Sequence, residues 1–251
     1  MSTARLLGIK TAACFLGLGS CLVLVRAAQL PVRLLSDHAY AQLVPGRPIS
    51  LPAPSPRLVP RVQYQEEIVL ENGDQSARLR FYSEEDPASP PLSFQAWERE
   101  RAVEPVREIA PEELVRLGEK SGNPVLYAWT IPLVFAPRET KRIRIEAEYA
   151  VQSVSERPRN DRFETYFSFW GWQPSTADLL FRFDPTPMIS AIPCLGRSPT
   201  PGLAPWLLSS WFTIRPAGYQ SRGLTVWWRF QEARTPEHCE KICVEWPAWY
   251  R

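Results

Sequence analysis

The sequence predicts an all-β protein: an antiparallel β-sandwich with a short helical or irregular insertion and an N-terminal hydrophobic leader helix. Three observations point there. Apolar and polar residues alternate with period two through much of the chain after residue 60, the pattern of strands with one wet face. Aromatic residues are abundant, with 10 Trp, 8 Tyr and 11 Phe among 251 residues, and they suit pleated, half-buried surfaces. Proline is heavy at 26, which disfavours long helices and marks turns and sheet edges.

Residues 1–28 read as a signal peptide or membrane anchor. Arg5 and Lys10 form a positive start, and Thr11 to Val25 is an uncharged, largely apolar run of 15 residues. That is short of the ~20 residues of a spanning helix. Val25-Arg26-Ala27 offers small residues for cleavage after Ala27. Leu18-Gly19-Ser20-Cys21 resembles a lipobox, which makes Cys21 a lipidation candidate. An uncleaved anchor over Leu6–Val25, with Lys10 snorkelling, is the alternative. The expected location is periplasmic, cell-surface or membrane-anchored, with membrane contact through this segment. Residues 29–60 follow as a tether, since 45–60 alone holds six prolines, and His38 beside it is expected to be solvated.

The folded domain is expected over 61–251. Val62, Tyr64, Ile68 and Leu70 share one parity, interrupted by Glu66. Asn72-Gly73 signals a tight turn, and Ala77, Leu79 and Phe81 line a return strand, so 61–71 and 76–83 read as a hairpin. Residues 84–123 are acidic, Pro-rich and poorly periodic, an insertion with a short helix over 111–118. Val125 to Phe135 and Ile143 to Val151 read as a second hairpin around Ala136-Pro137-Arg138-Glu139. Pro132 places the first of these strands at an edge or bulge. The basic cluster Arg138, Lys141, Arg142 and Arg144 has acidic neighbours and reads as a solvated face.

The run FETYFSFWGW at 163–172 carries six aromatic residues. As a strand it puts Phe163, Phe167 and Phe169 on one face, opposite the apolar face of Leu179, Phe181 and Phe183. Tyr166, Trp170 and Trp172 fall on the other face and suit half-exposed positions. Residues 185–206 form a long Pro-rich loop. The strands Trp211–Ile214 and Leu224–Phe230 close the count at eight to nine, the latter with Thr225, Trp227 and Arg229 outward.

This order of elements resembles an uncharacterised family of bacterial exported β-sandwich proteins. The resemblance rests on the leader, on Glu71-Asn72-Gly73-Asp74, on Tyr127-Ala128-Trp129 followed by Phe135-Ala136-Pro137-Arg138-Glu139-Thr140, and on the Tyr166/Trp172 strand. It implies envelope location and fold, and carries no catalytic residues.

Charge and motifs narrow the function. Three of the 29 Lys and Arg residues, Arg5, Lys10 and Arg26, lie in the leader, which leaves 26 against 27 Asp and Glu. That balance argues against nucleic-acid binding. Only His38 and His238 could serve a Ser-His-Asp or Cys-His site, and no nucleophile elbow accompanies them. No phosphate-cradling Gly-rich motif is present, and neither a cofactor nor a metal is expected. The expected role is a non-catalytic envelope module that binds a protein or glycan or serves structurally. The alternative is a carbohydrate-binding or carbohydrate-acting domain using Tyr166, Trp170, Trp172 and Trp227. In an oxidising compartment one disulfide is expected, with Cys239–Cys243 ahead of either bridge to Cys194.

Overall fold

The computed structural model describes residues 10–11, 25–26, 32–46, 48–49, 57–58, 60–85, 91–109, 127–153, 160–168, 177–191, 204–230 and 239–247. In chain order, β1 (Lys10–Thr11) pairs with β2 (Val25–Arg26), β3 (Val32–Val44) is the first long strand, and β4 (Pro48–Ile49) pairs with β5 (Arg57–Leu58). Then come β6 (Arg61–Asn72), β7 (Ala77–Glu85), β8 (Pro91–Glu98), β9 (Arg101–Val103) and β10 (Val106–Ile109). They are followed by β11 (Tyr127–Phe135), β12 (Thr140–Ala150), β13 (Gln152–Ser153), β14 (Asn160–Ser168) and β15 (Asp178–Asp184). Helices at Thr186–Ser190 and Ala204–Trp211 precede β16 (Thr213–Arg215), β17 (Gln220–Arg222), β18 (Thr225–Phe230) and β19 (Cys239–Pro247). Apart from the β1–β2 ladder, the expected leader helix lies outside the described residues.

The fold is all-β and sandwich-like. One layer is an eight-stranded sheet in the order β17-β18-β15-β3-β6-β12-β8-β9. It is antiparallel except for the parallel pair β15–β3. A three-stranded sheet, β10-β11-β7, and a four-stranded sheet, β13-β14-β19-β16, pack on its inner face. The contacts are aromatic. Phe94 of β8 stacks on Trp129 of β11 with centroids 5.0 Å apart. Phe163 of β14 stacks on Phe181 and Phe183 of β15 at 6.2 and 6.1 Å. Trp246 of β19, 1% exposed, leans on Phe183 and Phe212. Phe163, on the Phe face of the run at 163–172, therefore meets the partner strand assigned to it. Phe167 lies on β14 by its backbone, and residues 169–176 are outside the described residues.

The largest correction concerns the tether. Residues 32–44 form a strand in the middle of the large sheet, between β15 and β6. Val32, Leu34, Ala39, Ala41 and Leu43 are buried. The irregularity at Leu34/Ser36 is a bulge, which moves the inward parity from even to odd numbers and breaks the alternation that would have betrayed the strand. The bulge also turns Asp37 inward. Asp37 bonds Glu66, the buried carboxyl (2% exposed) that interrupts the parity of β6. Burial raises the Asp37 pKa from 3.8 to about 7, against the bond to Glu66, which lowers it.

Both expected hairpins are corners instead. β6 pairs with β3 and β12, and β7 pairs with β11, so the Asn72-Gly73 turn carries the chain from one layer to the other. The turn between β11 and β12 does the same in the opposite direction. The two corners are bonded together. Asn72 N donates to Glu139 O at 2.9 Å, and Arg138 N donates to Gly73 O at 2.7 Å. The Asn72 amide, 3% exposed, donates to Gln75 O and Ala136 O, both at 2.7 Å. Turn chemistry is local, but which strand receives the chain afterwards is settled by packing. Pro132 is tolerated because the β10–β11 ladder has ended at Val106–Thr130 before it, which leaves an open edge there.

Two other regions differ from expectation. Residues 91–109, read as part of an insertion over 84–123, supply β8, β9 and β10. Their alternation is short and edge-like, with only Phe94 and Ala96 buried. The helix expected over 111–118 is outside the described residues. The loop expected over 185–206 contains the helix Thr186–Ser190, whose Met188 and Ile189 are buried, and the start of the helix Ala204–Trp211. Proline at the first turn is compatible with both helices.

Candidate functional site

The outward face of the eight-stranded sheet is the candidate site. After the bulge, β3 turns His38, Tyr40 and Gln42 to this face, and β15 contributes Asp178, Arg182 and Asp184. From β18 come Trp227 and Arg229. These side chains bond across strands. Asp178 accepts from Arg229 Nε at 2.9 Å and Nη2 at 3.1 Å, and lies 3.1 Å from His38 Nε2. The Arg229 bonds, with help from His38, hold the Asp178 carboxyl below its usual range, against partial desolvation. His38, expected to be solvated, is half-buried and fixed here; the misreading follows from the misread tether.

Tyr40 donates to Asp184 Oδ2 at 3.1 Å, and the Gln42 amide donates to the Tyr40 oxygen at 3.1 Å. Desolvation, then the neighbouring Asp184 charge, pushes the Tyr40 phenol up to about 12. Tyr40 is therefore a neutral hydrogen-bonding group across the physiological range. Trp227 is half-buried, with Nε1 donating to Gln220 Oε1 at 2.9 Å. The arrangement offers fixed donors, acceptors and one aromatic surface on rigid strands. It suits binding, because its charged groups already hold one another in place.

The same face continues over β6, β12 and β8. Glu67, opposite His38 in the ladder, lies 3.6 Å from Arg142. Arg144 is 4.5 Å above the Trp97 ring. Two clefts open around the β8–β9 turn. One, of about 530 Å³, is lined by Glu98, Arg99, Glu100, Arg101 and Glu139. The other, of about 490 Å³, is lined by Glu67, Val69, Arg99, Glu100, Thr140, Arg142 and Arg144. Below them Lys141, only 7% exposed in its side chain, is bonded to Glu98 and lies 3.1 Å from Glu139. Burial opposes the Lys141 charge, but the bonds to both glutamates outweigh it and raise its pKa.

Of the four aromatic candidates, only Tyr166 and Trp227 lie among the described residues. Tyr166 lies on β14 in the four-stranded sheet, Trp227 lies on the outward face of the opposite layer, and Trp170 and Trp172 are outside the described residues. Cys21 and Cys194 are also outside them. The expected Cys239–Cys243 bridge is excluded by β19, which holds both residues in extended backbone. Four strand residues span about 13 Å, against the ~4.4–6.8 Å between Cα atoms that a disulfide allows. Cys243 is buried, with its Sγ 3.7 Å from Glu245 Oε1. The residues that sequence reasoning missed are Asp178, Tyr40, Gln42 and Asp184. For Asp178 and Asp184 the signal was the odd/even split of Leu179-Phe181-Phe183 against Asp178-Arg182-Asp184, whereas Tyr40 and Gln42 lay in the stretch read as a tether.

Comparison with known proteins bears on the fold. No protein-family model matches the chain, and no curated protein matches it. Among solved structures it is similar to a proposed nutrient-binding protein from Legionella pneumophila. The TM-score is 0.51 at 12% identity, over 86% of this chain and 67% of that one. It also aligns with an M1 zinc metallopeptidase from Deinococcus radiodurans, with a TM-score of 0.38 at 11% identity, over 86% of this chain and 42% of that one. At such identities the likeness concerns the fold alone.

Proposed function

We propose that the chain is a non-catalytic, exported module of the cell envelope that binds a polar ligand on the outward face of its large sheet. One observation carries this reading: the cross-bonded set His38, Asp178, Arg229, Tyr40, Gln42 and Asp184, held on adjacent strands beside half-exposed Trp227. Groups already fixed in place lose little freedom when a ligand arrives. The leader supports an envelope location, and the Legionella protein with a similar fold is itself proposed to bind a nutrient. A glycan is the favoured ligand class on this face, since planar amide, carboxylate and guanidinium groups beside an indole match hydroxyl-rich surfaces.

The test is retention of fractionated envelope glycans and proteins on the immobilised full-length chain. The double variant Tyr40→Ala/Trp227→Ala should lose the retained fraction. Unchanged retention would refute the assignment to this face. Fractionation that found the full-length chain in the cytoplasm would remove the envelope half of the proposal.

A further inference from the structure

The register of the large sheet sets a second pattern on its outward face. Across six adjacent strands, β18 to β8, the ladder pairs put Trp227, Arg182, Tyr40, Gln65, Glu146 and Gln95 in one row. Each of the six has buried neighbours on both sides in the chain, so all six side chains face outward. Neighbouring strands lie about 4.8 Å apart, which makes the row about 24 Å long.

Amides gather along it. Gln63 lies two residues before Gln65 on β6, and Gln42 of β3 lies opposite Gln63. With Gln95 and with Gln220, which accepts from Trp227, five of the chain's ten glutamines are on this one face. Gln63, Gln65 and Gln95 are exposed and make no hydrogen bond among the described residues. The charges around them are already matched. Glu146 lies 3.5 Å from Arg144, and Glu148 lies 2.7 Å from Arg61. Arg182 has Asp184 two residues away on the same face of β15.

We infer that this row binds a neutral, unbranched, β-linked glycan lying across the strands, an inference that deepens the binding role proposed above and rests on it. An amide both donates and accepts, as a sugar hydroxyl does. In an extended β-linked chain each pyranose advances by nearly the spacing between neighbouring strands, so its rings stay in step with the row. Six strands then take six sugar units. Trp227 and Tyr40, two strands apart, fall under alternate rings, where a flat aromatic surface suits the apolar face of a sugar. One face of a sheet is open along its length, which suits a polymer rather than a small molecule enclosed on several sides. An anionic chain gains little here, because the cations in and beside the row already have carboxylates near them.

The experiment is calorimetric titration of the full-length chain with cellohexaose and chitohexaose. Cellobiose, the α-linked maltohexaose and the acidic hexagalacturonate are the comparison probes. At least one of the two β-linked hexasaccharides should bind, about tenfold or more tighter than cellobiose, because a longer chain reaches more of the row. Maltohexaose, whose chain coils, and hexagalacturonate should bind more weakly by a similar factor. Affinity should hold between low and physiological salt, since no net charge is screened. Gln65→Ala should weaken binding about fivefold by removing a hydrogen-bonding amide. Its thermal midpoint should match that of the natural chain, because this exposed side chain bonds to nothing in the fold; that separates lost binding from lost folding. Failure of both β-linked hexasaccharides to bind, equal binding of any comparison probe, or unchanged affinity in Gln65→Ala would overturn the inference. So would a dimer of the chain, seen by light scattering, that Gln65→Arg dissociates, since a second copy would then occupy the face. If envelope fractions are retained and lost in Tyr40→Ala/Trp227→Ala while neither hexasaccharide binds, this inference falls and the broader binding role stands. Absence of binding in both experiments removes both.

Discussion

Replacing Asp37 by Asn tests the most unusual pair in the core. Asp37 and Glu66 meet on the inner face of the central strands, and their ladder neighbours are apolar: Ile68 and Leu179 beside Asp37, Ala39 and Ile145 beside Glu66. Two carboxylates cannot both ionise there without a large desolvation cost, so one proton is shared. With the Asp37 pKa raised from 3.8 to about 7, the folded state holds that proton more tightly than the unfolded chain does. The sign follows from linkage. The stabilisation is complete below pH 3.8 and is lost as the pH rises through about 7. Between pH 8 and pH 5 the natural chain should gain roughly 2–3 kcal/mol from this residue. Asparagine keeps the shape and stays neutral, so it should abolish that gain and raise stability at pH 8. Urea unfolding of both proteins at pH 5, 6, 7 and 8 reads the difference directly. Carboxylates away from the pair contribute the same slopes to both proteins, and a parallel Glu66→Gln variant reads the share of Glu66, whose titration changes with its partner. Parallel curves for natural chain and variant over this range would refute the reasoning.

Other expected outcomes follow from packing and bonding. Phe163→Ala should lower stability by about 3–5 kcal/mol, because the ring is fully buried between the layers against Phe181 and Phe183; a loss under 1 kcal/mol by denaturant titration would contradict that placement. Asn72→Ala removes two side-chain bonds that tie both corners, and should cost about 2–3 kcal/mol, with proteolysis at 73–76 accelerated. Peptide mapping without reductant should find no Cys239–Cys243 link, and finding one would require β19 to be broken at its start.

The sequence alone determined the all-β class and most of the in-out assignments of the strands it marked, but it missed β3, β8, β9 and β10. Leu224, Val226 and Trp228 are buried and Thr225, Trp227 and Arg229 are not, as their alternation requires. The same holds for Ile143, Ile145, Ala147 and Tyr149 on β12, because period-two patterning is a property of each strand separately. Pairing is not. Asn72-Gly73 announced a change of direction but could not say that the next strand belongs to another sheet. That choice depends on Ala136 and Glu139, more than sixty residues away, bonding to the same turn. The strand at 32–44 was hidden for a related reason. Its bulge breaks the parity, Asp37 looks unsuited to a core until Glu66 is placed beside it, and the prolines after it suggest a tether. The candidate site was legible only in fragments, as Trp227 and a basic cluster on β12. Bringing His38 to Asp178, or Arg99 to Arg142, requires strands that meet only when the sheet closes. Contacts between residues distant in the chain are set by packing of the whole layer, and no local pattern encodes them.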